Sequence, residues 1–507
     1  MSGVEQPAAD APSAGRDLDA TPPGAASPET PTDSRRRTRR RGTGRTGRIP
    51  DPPPPDSPAE DDQPGPPTRR RTRDRSGGHS STAAASGTAE DTSTEQPQLP
   101  PLHLRDGLPA LTTTPDALAA AVAALAAGSG PLAIDTERAS GYRYGQRAYL
   151  IQIRREGSGT FLIDPIAVPG VPGLKEALTG PEWILHAATQ DLPCLAELDL
   201  YPSSLFDTEL AGRLLGLPRV GLGPMVADLL QHSLAKGHGA ADWSKRPLPQ
   251  DWLEYAALDV EVLLELRTEL RDRLETTGKL DWALEEFEGI RTAPAPEPPV
   301  DRWRRTSGMH QIKQRRGLAI VQQLWEARDA VAQRVDVAPG RLVPDSSIIA
   351  AAQAQVRDGG ALRALRTFHG RGASRYQREW AAALEAAWAI PENQLPKPAG
   401  KTPGPPQARM WAQRDAVAAG RLERARTALG QRAEELGLPV ENLLTPELVR
   451  RLMWDPKAVV GDPATSAEVG EFLAAVGARP WQIAQTADLL AAAIPTPPPT
   501  ESQPSAS

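Results

Sequence analysis

The chain reads as an α/β domain with a small mixed sheet, followed by two all-α regions and preceded by a long tail without a core. Three observations predict this. Apolar runs of strand length, separated by turn residues, fill residues 131–187, and beyond Leu192 the pattern turns helical. Pro-rich segments at 293–299 and 396–406 then divide the helical part into separate regions. A length of 507 residues accommodates about three domains of ~150 residues.

Residues 1–100 are rich in Pro, Ser, Thr, Asp and Gly and nearly devoid of large apolar side chains. Too little apolar surface is available to offset the entropy of ordering, so the segment is expected to be disordered. Its arginine clusters at 35–37, 39–41 and 69–71 fit a solubilising tail, or alternatively an arm that grips phosphates without sequence preference.

Order begins near Leu102. The spacing predicts a helix over 116–127, with Thr114 or Pro115 near its start and Gly128 at its stop. Strands are expected at 131–136, 148–154, 160–164 and 183–187, then helices through Gly289. The resulting division is a tail (1–100), an α/β domain (102–290), a linker (291–309) and a helical domain (310–392). A second linker (393–407), a further helical region (408–493) and a short Pro-rich tail (494–507) complete it. The two helical regions share size and interior tryptophans, a weak sign of repetition.

Composition excludes several classes. The single cysteine, Cys194, rules out a disulfide framework and any zinc site built on paired cysteines, and points to a reducing compartment. The longest apolar stretch, 117–127, is Ala-rich and too short to span a bilayer. No secretory signal is evident at the start, so a cytoplasmic protein that does not enter membranes is expected. Gly400, Lys401 and Thr402 resemble the end of a phosphate-binding loop, but Leu395 stands where that loop needs Gly. No ATPase is therefore expected, and no Gly-x-Ser-x-Gly nucleophile turn is present. Net charge is −6 overall, yet residues 101–300 carry −11 and residues 301–380 carry +8. The basic block is the expected seat of a polyanion partner.

Three segments carry acidic residues that can converge. In Asp135-x-Glu137, strand alternation puts both carboxylates on one face, with Ile134 on the other. They repel each other unless a cation sits between them; a solvated strand edge is the alternative. In the second segment, Asp191 follows His186, Ala187 and Ala188, and taken alone it is an ordinary helix N-cap. In the third, Tyr255 and Asp259 are four apart and share a helix face. A surface helix with a half-buried Tyr is the plain reading. Together, four carboxylates and a Tyr form an oxygen-only set suited to Mg²⁺ or Mn²⁺. Two such ions about 3.5–4 Å apart can serve phosphodiester hydrolysis. A free Tyr, with a pKa near ~10, is a poor base and is better placed to orient water.

The order Asp-x-Glu, Asp, Tyr-x-x-x-Asp resembles the DEDD-superfamily 3′–5′ exonucleases of the Tyr subclass. Gly221 to Val226, then Leu234 to Lys236, Asp242 to Leu248 and Glu254 to Asp259 are similar to ribonuclease D. Leu324 to Asp329, with Val343, Pro344, Asp345, Ile348 and Ile349, resembles the HRDC domain. The likeness covers 105–390 well, whereas 408–493 matches a second such domain only loosely. It implies a ribonuclease H-like fold and two Mg²⁺ or Mn²⁺ ions on Asp135, Glu137, Asp191 and Asp259, with Tyr255 positioning water. It further implies a monomeric 3′–5′ exoribonuclease that releases 5′-monophosphates, with tRNA precursors among its RNA partners. One departure is Gly239, Ala240 and Ala241 before Asp242, where the family carries Arg-Thr; this puts a substrate contact there in doubt.

Substrate contacts are expected from Lys236, Lys245 and Arg246, with plain surface charge as the alternative, and from Arg315 and Arg316 in the basic block. Trp303, Phe368 and Tyr376 lie among those charges and could stack bases or fill helix cores; Trp325 and Trp380 fit core positions better. His186 fits a packed, hydrogen-bonded side chain better than a metal ligand. Two other functions use the same residues: a DNA-directed exonuclease, and an RNA-binding protein with a relic site.

Overall fold

The computed structural model describes residues 99–494 apart from 236, 296–298, 399, 401–403, 459 and 462–463. The expected tails, 1–98 and 495–507, and the substrate candidate Lys236 lie outside the described residues.

Six strands form one mixed sheet: β1 (Leu111–Thr112), β2 (Ser129–Arg138), β3 (Ala148–Glu156), β4 (Gly159–Ile163), β5 (Glu182–Leu185) and β6 (Ser204–Asp207). Their order is β1-β4-β3-β2-β5-β6. β3 runs antiparallel to β2 and β4, while the β1–β4, β2–β5 and β5–β6 pairs are parallel. β3 turns into β4 through Gly157 and Gly159, both at positive φ (78° and 83°), a region open to glycine at little cost. β2 is central, with Leu132, Ala133 and Ile134 fully buried.

The first helix, Pro115–Ala127, starts at Thr114, whose side chain accepts from the Ala117 amide at 3.2 Å, and ends at Gly128. A side chain at Gly128 would meet Ser158 and the Glu156 carbonyl, so helix and hairpin pack closely there. The mostly helical pattern expected after Leu192 is interrupted by one strand. The helix Leu192–Ala196 is five residues long, and β6 follows at the sheet edge. That strand is only four residues long and runs straight into the helix Thr208–Leu214, so its period is hidden by its neighbour.

The long helices Gln250–Glu261, Leu263–Thr276 and Leu280–Arg291 cover the sheet. Leu263, Leu266, Leu270 and Leu274 form the buried stripe of the second one. A separate core gathers Trp303, Leu324, Ile348, Trp380 and Leu384. Within the expected 291–309 linker, the helix runs to Arg291 and Trp303 is buried in that second core. Leu395, in the expected 393–407 linker, is buried as well.

Residues 411–493 share one continuous core with the sheet domain, with Trp411, Leu422, Leu473 and Trp481 joining Ile184, Phe206 and Phe287. Trp481 stacks on Trp282, with ring centroids 4.9 Å apart and planes 12° apart, and its indole N–H donates to Glu286 at 3.0 Å. Lys279 donates to the carbonyls of Leu214 (2.7 Å) and Gly437 (3.1 Å), which bridges the two parts. The helical domain at 315–389 meets the sheet domain through the β2–β3 loop. There Tyr144 donates to Asp329 (3.1 Å), Arg147 to Asp336 (2.6 Å) and Arg341 to the Gly141 carbonyl (2.6 Å). Among the described residues, no helix is long and apolar enough to cross a membrane.

Candidate active site

The site is built at the end of β2. Asp135 and Glu137 alternate onto the same side of the strand. Asp135 pairs in register with Gln152 of β3, whose amide N–H donates to the Asp135 carboxylate at 3.3 Å. Thr136, between the two acids, donates to Asp191 at 2.6 Å and lies 3.1 Å from the Cys194 sulfur.

Asp191 arrives by way of a strained turn. Ala187 adopts φ 60°, ψ 54°, a left-handed conformation uncommon for a residue with a side chain. Asp207 at the end of β6 stabilises that turn by accepting from the amides of Ala187 (3.1 Å) and Ala188 (2.9 Å). The same carboxylate caps the next helix through the Glu209 and Leu210 amides. Asp207 is thus a buried positioning residue that sequence reasoning missed. Its available signal was an apolar pair followed by Asp-Thr before a helix. Asp191 occupies an N-cap position but makes no capping bond, so the plain N-cap reading does not describe its side chain.

The helix Gln250–Glu261 brings Tyr255 and Asp259 over the strand end. Carboxylate oxygens of Asp135, Glu137 and Asp259 all lie within 4.8 Å of one another. Asp191 stands beside this trio, and all four acids and Tyr255 line one cavity of about 650 Å³. Arg138, His186, Arg219, Pro224 and Leu234 are among the other residues on its wall.

Burial and mutual repulsion dominate the electrostatics. Asp135 is held well above the usual carboxylate range by desolvation and then by Asp191, Asp259 and Glu137. Glu137 is pushed up to about 9 by desolvation and by Asp259 and Asp191. Desolvation raises Asp259 to about 7, partly offset by the Tyr255 hydroxyl. It raises Asp191 to about 6, against the Thr136 bond and the Arg138 charge. Such a set has the wrong charge for its burial until a cation joins it. It is all oxygen, which fits a hard divalent ion.

Tyr255 is raised above its ordinary value, first by burial and then by the neighbouring acids, so its hydroxyl stays protonated. His186 lies against Thr208 at 2.9 Å, and burial lowers it to about 4. It is a neutral, packed side chain outside the close trio. Cys194 is buried and raised to about 11, which leaves it a protonated thiol.

Among the described residues, none of the expected substrate cations lines this cavity. Arg246 is corrected to a structural role: it clasps the buried Asp164 at 2.6 and 2.8 Å and also the Tyr149 carbonyl. Arg315 donates to the Leu395 and Pro396 carbonyls, and Arg316 to the Ala387 carbonyl and Glu392. These two tie the start of the helix Arg315–Val335 to residues 387–396. Lys245 is exposed but does not line the cavity. Trp303 and Phe368 are buried, so they fill the core and do not stack bases.

Three family models match. One described as 3′-5′ exonuclease covers residues 109–275, an HRDC domain model covers 317–384, and a 3′ to 5′ exonuclease C-terminal domain model covers 404–494. Ribonuclease D of Gluconacetobacter diazotrophicus is 33% identical over 295 residues, which is 54% of this chain and 71% of that one. A crystal structure of a protein from Bifidobacterium adolescentis is 37% identical with a TM-score of 0.71, covering 78% of this chain and 100% of the other. The crystal structure of Escherichia coli RNase D is 28% identical with a TM-score of 0.53, covering 69% and 91%. From the acidic site, the domain models and these relatives, the chain belongs to the ribonuclease D family.

Proposed function

We propose that this protein is a cytoplasmic 3′–5′ exoribonuclease that shortens RNA one nucleotide at a time, releasing 5′-monophosphates. The observation that carries the reading is the convergence of Asp135, Glu137 and Asp259 within 4.8 Å, with Asp191 and Tyr255 on the same cavity. Its E. coli relative is described as an exoribonuclease involved in structured RNA processing. Structured RNA, tRNA precursors included, is the substrate class we assign.

Asp135, Glu137, Asp191 and Asp259 would hold two Mg²⁺ or Mn²⁺ ions. When bound, such ions supply Lewis acidity toward the attacking water and the leaving 3′ oxygen. Tyr255 keeps its proton and orients the water by hydrogen bonding. Leu222, Pro224 and Leu234 offer apolar wall against which a terminal base can pack. Away from the cavity, Arg305, Lys313, Arg366, Arg371 and Arg378 are exposed and supply the charge with which the helical domain captures RNA.

The test uses 5′-labelled single-stranded RNA with a 3′ hydroxyl, in Mg²⁺ or Mn²⁺, beside matched DNA and the Asp135→Asn variant. A ladder shortening from the 3′ end, lost in the variant and with chelator, supports the reading. Faster shortening of DNA would move it to a deoxyribonuclease. RNA binding without shortening of either strand would overturn it.

A further inference from the structure

A cavity walled by four carboxylates repels a phosphate backbone, and of the cations expected from the sequence to counter this, the described ones, Lys245, Arg246, Arg315 and Arg316, do not line it. Among the described residues, the cationic side chains on the cavity wall are Arg138 and Arg219. Arg219 is exposed and paired with Asp228 at 2.7 Å.

Arg138 is placed differently. Plain alternation along β2 would send it to the face opposite Glu137. The β2–β3 register shifts between Glu137 and Arg138, with Tyr149 of β3 left unmatched, so regular pairing ends here. Arg138 nonetheless lines the same cavity as Glu137. One Arg138 amino group donates to the Gln190 carbonyl at 2.7 Å, which fixes the guanidinium next to Asp191. Its charge lowers the pKa of both Glu137 and Asp191, yet it makes no ion pair with a carboxylate among the described residues. A guanidinium carries five N–H donors in a planar fork matched to phosphate. The Gln190 bond uses one, leaving the others for a ligand.

We propose that Arg138 is a substrate-binding residue that grips a backbone phosphate of single-stranded RNA at the 3′ end. This rests on the exoribonuclease reading for the choice of ligand, and on the cavity wall and the Gln190 bond for the placement. The residue does two jobs: it anchors the Gln190–Asp191 segment by one amino group and holds phosphate by the rest.

The experiment measures binding of a fluorescein-labelled single-stranded RNA to the full chain from 50 to 300 mM salt in Mg²⁺. An Asp259→Asn background keeps the RNA intact. Adding Arg138→Ala should weaken binding about 10-fold, as for a lost hydrogen bond to a charged group. It should also reduce the slope of log affinity against log salt by about 0.7, the loss of one phosphate contact. Arg138→Lys should restore the slope while recovering only part of the affinity, because it keeps the charge but not the fork. Melting curves establish that each variant is folded. A slope unchanged by Arg138→Ala, or a wild-type chain that does not bind RNA, overturns the assignment. Failure of the unmodified chain to shorten RNA in Mg²⁺ overturns the exoribonuclease reading instead, and the binding slope still decides the role of Arg138.

Discussion

Thr136 donates a 2.6 Å hydrogen bond to Asp191 inside the protein, across 55 residues of sequence. Thr136 stands between Asp135 and Glu137 in the sequence of β2, so one bond ties the first acidic motif to the second. It satisfies one carboxylate oxygen of Asp191 and leaves the rest of that group for the cavity.

Thr136→Val keeps the shape and removes the bond. The Asp191 carboxyl, already at about 6, should rise further, because the hydrogen bond favours its charged form. Mn²⁺ affinity should fall about 10-fold, as for the loss of a partner that orients a metal ligand. Calorimetric titration of Mn²⁺ into the metal-free variant checks this; wild-type affinity would contradict it.

Asp207→Ala should cost more. It leaves the buried Ala187 and Ala188 amides without their acceptor and removes a helix cap. The expected loss is about 2–4 kcal/mol in urea unfolding, from unpaired donors and the missing cap. Without that carboxylate the left-handed Ala187 turn should relax and shift Asp191, so exonuclease turnover should fall even at temperatures where the variant is folded.

The raised acids predict an unusual pH dependence for the metal-free protein. Glu137 titrates near 9 and Asp259 near 7 in the fold, whereas both titrate near ~4 when unfolded. Between those values the folded state binds more protons, so stability falls as pH rises. The destabilisation is absent below about pH 4 and complete above about pH 9. Melting temperature without metal should therefore decline from pH 5 to pH 9. Mn²⁺ should raise it more at pH 8 than at pH 6, since protons no longer compete for the carboxylates. Scanning calorimetry at fixed ionic strength is the check.

Trp481 tests the unity of the core. It is buried and stacked on Trp282 of the sheet domain. Trp481→Ala should cost about 3–5 kcal/mol and lower the unfolding midpoint of the sheet domain and residues 411–493 together. Two separate transitions, with only one shifted, would contradict a shared core.

Much of the site was legible because it is encoded locally. Strand alternation puts Asp135 and Glu137 on one side, and a spacing of four puts Tyr255 and Asp259 on one helix face. The α/β order and the helical regions were readable from apolar period for the same reason. β6 and Asp207 were not, since a four-residue strand gives too short a period to separate from the helix behind it.

By itself, then, the sequence determined which side chains could do the chemistry and the mixed α/β class of the domain that carries them. Tertiary structure alone decided which cations serve the cavity. Arg246 pairs with Asp164 and Arg315 with carbonyls about 80 residues away, whereas Arg138 lies on the cavity wall, bonded to the Gln190 carbonyl. An arginine's charge is visible in the sequence, but its partner is set by long-range packing. A buried guanidinium must find acceptors there, and Arg246 spends its donors on them, whereas Arg138 spends one on the Gln190 carbonyl and keeps the rest.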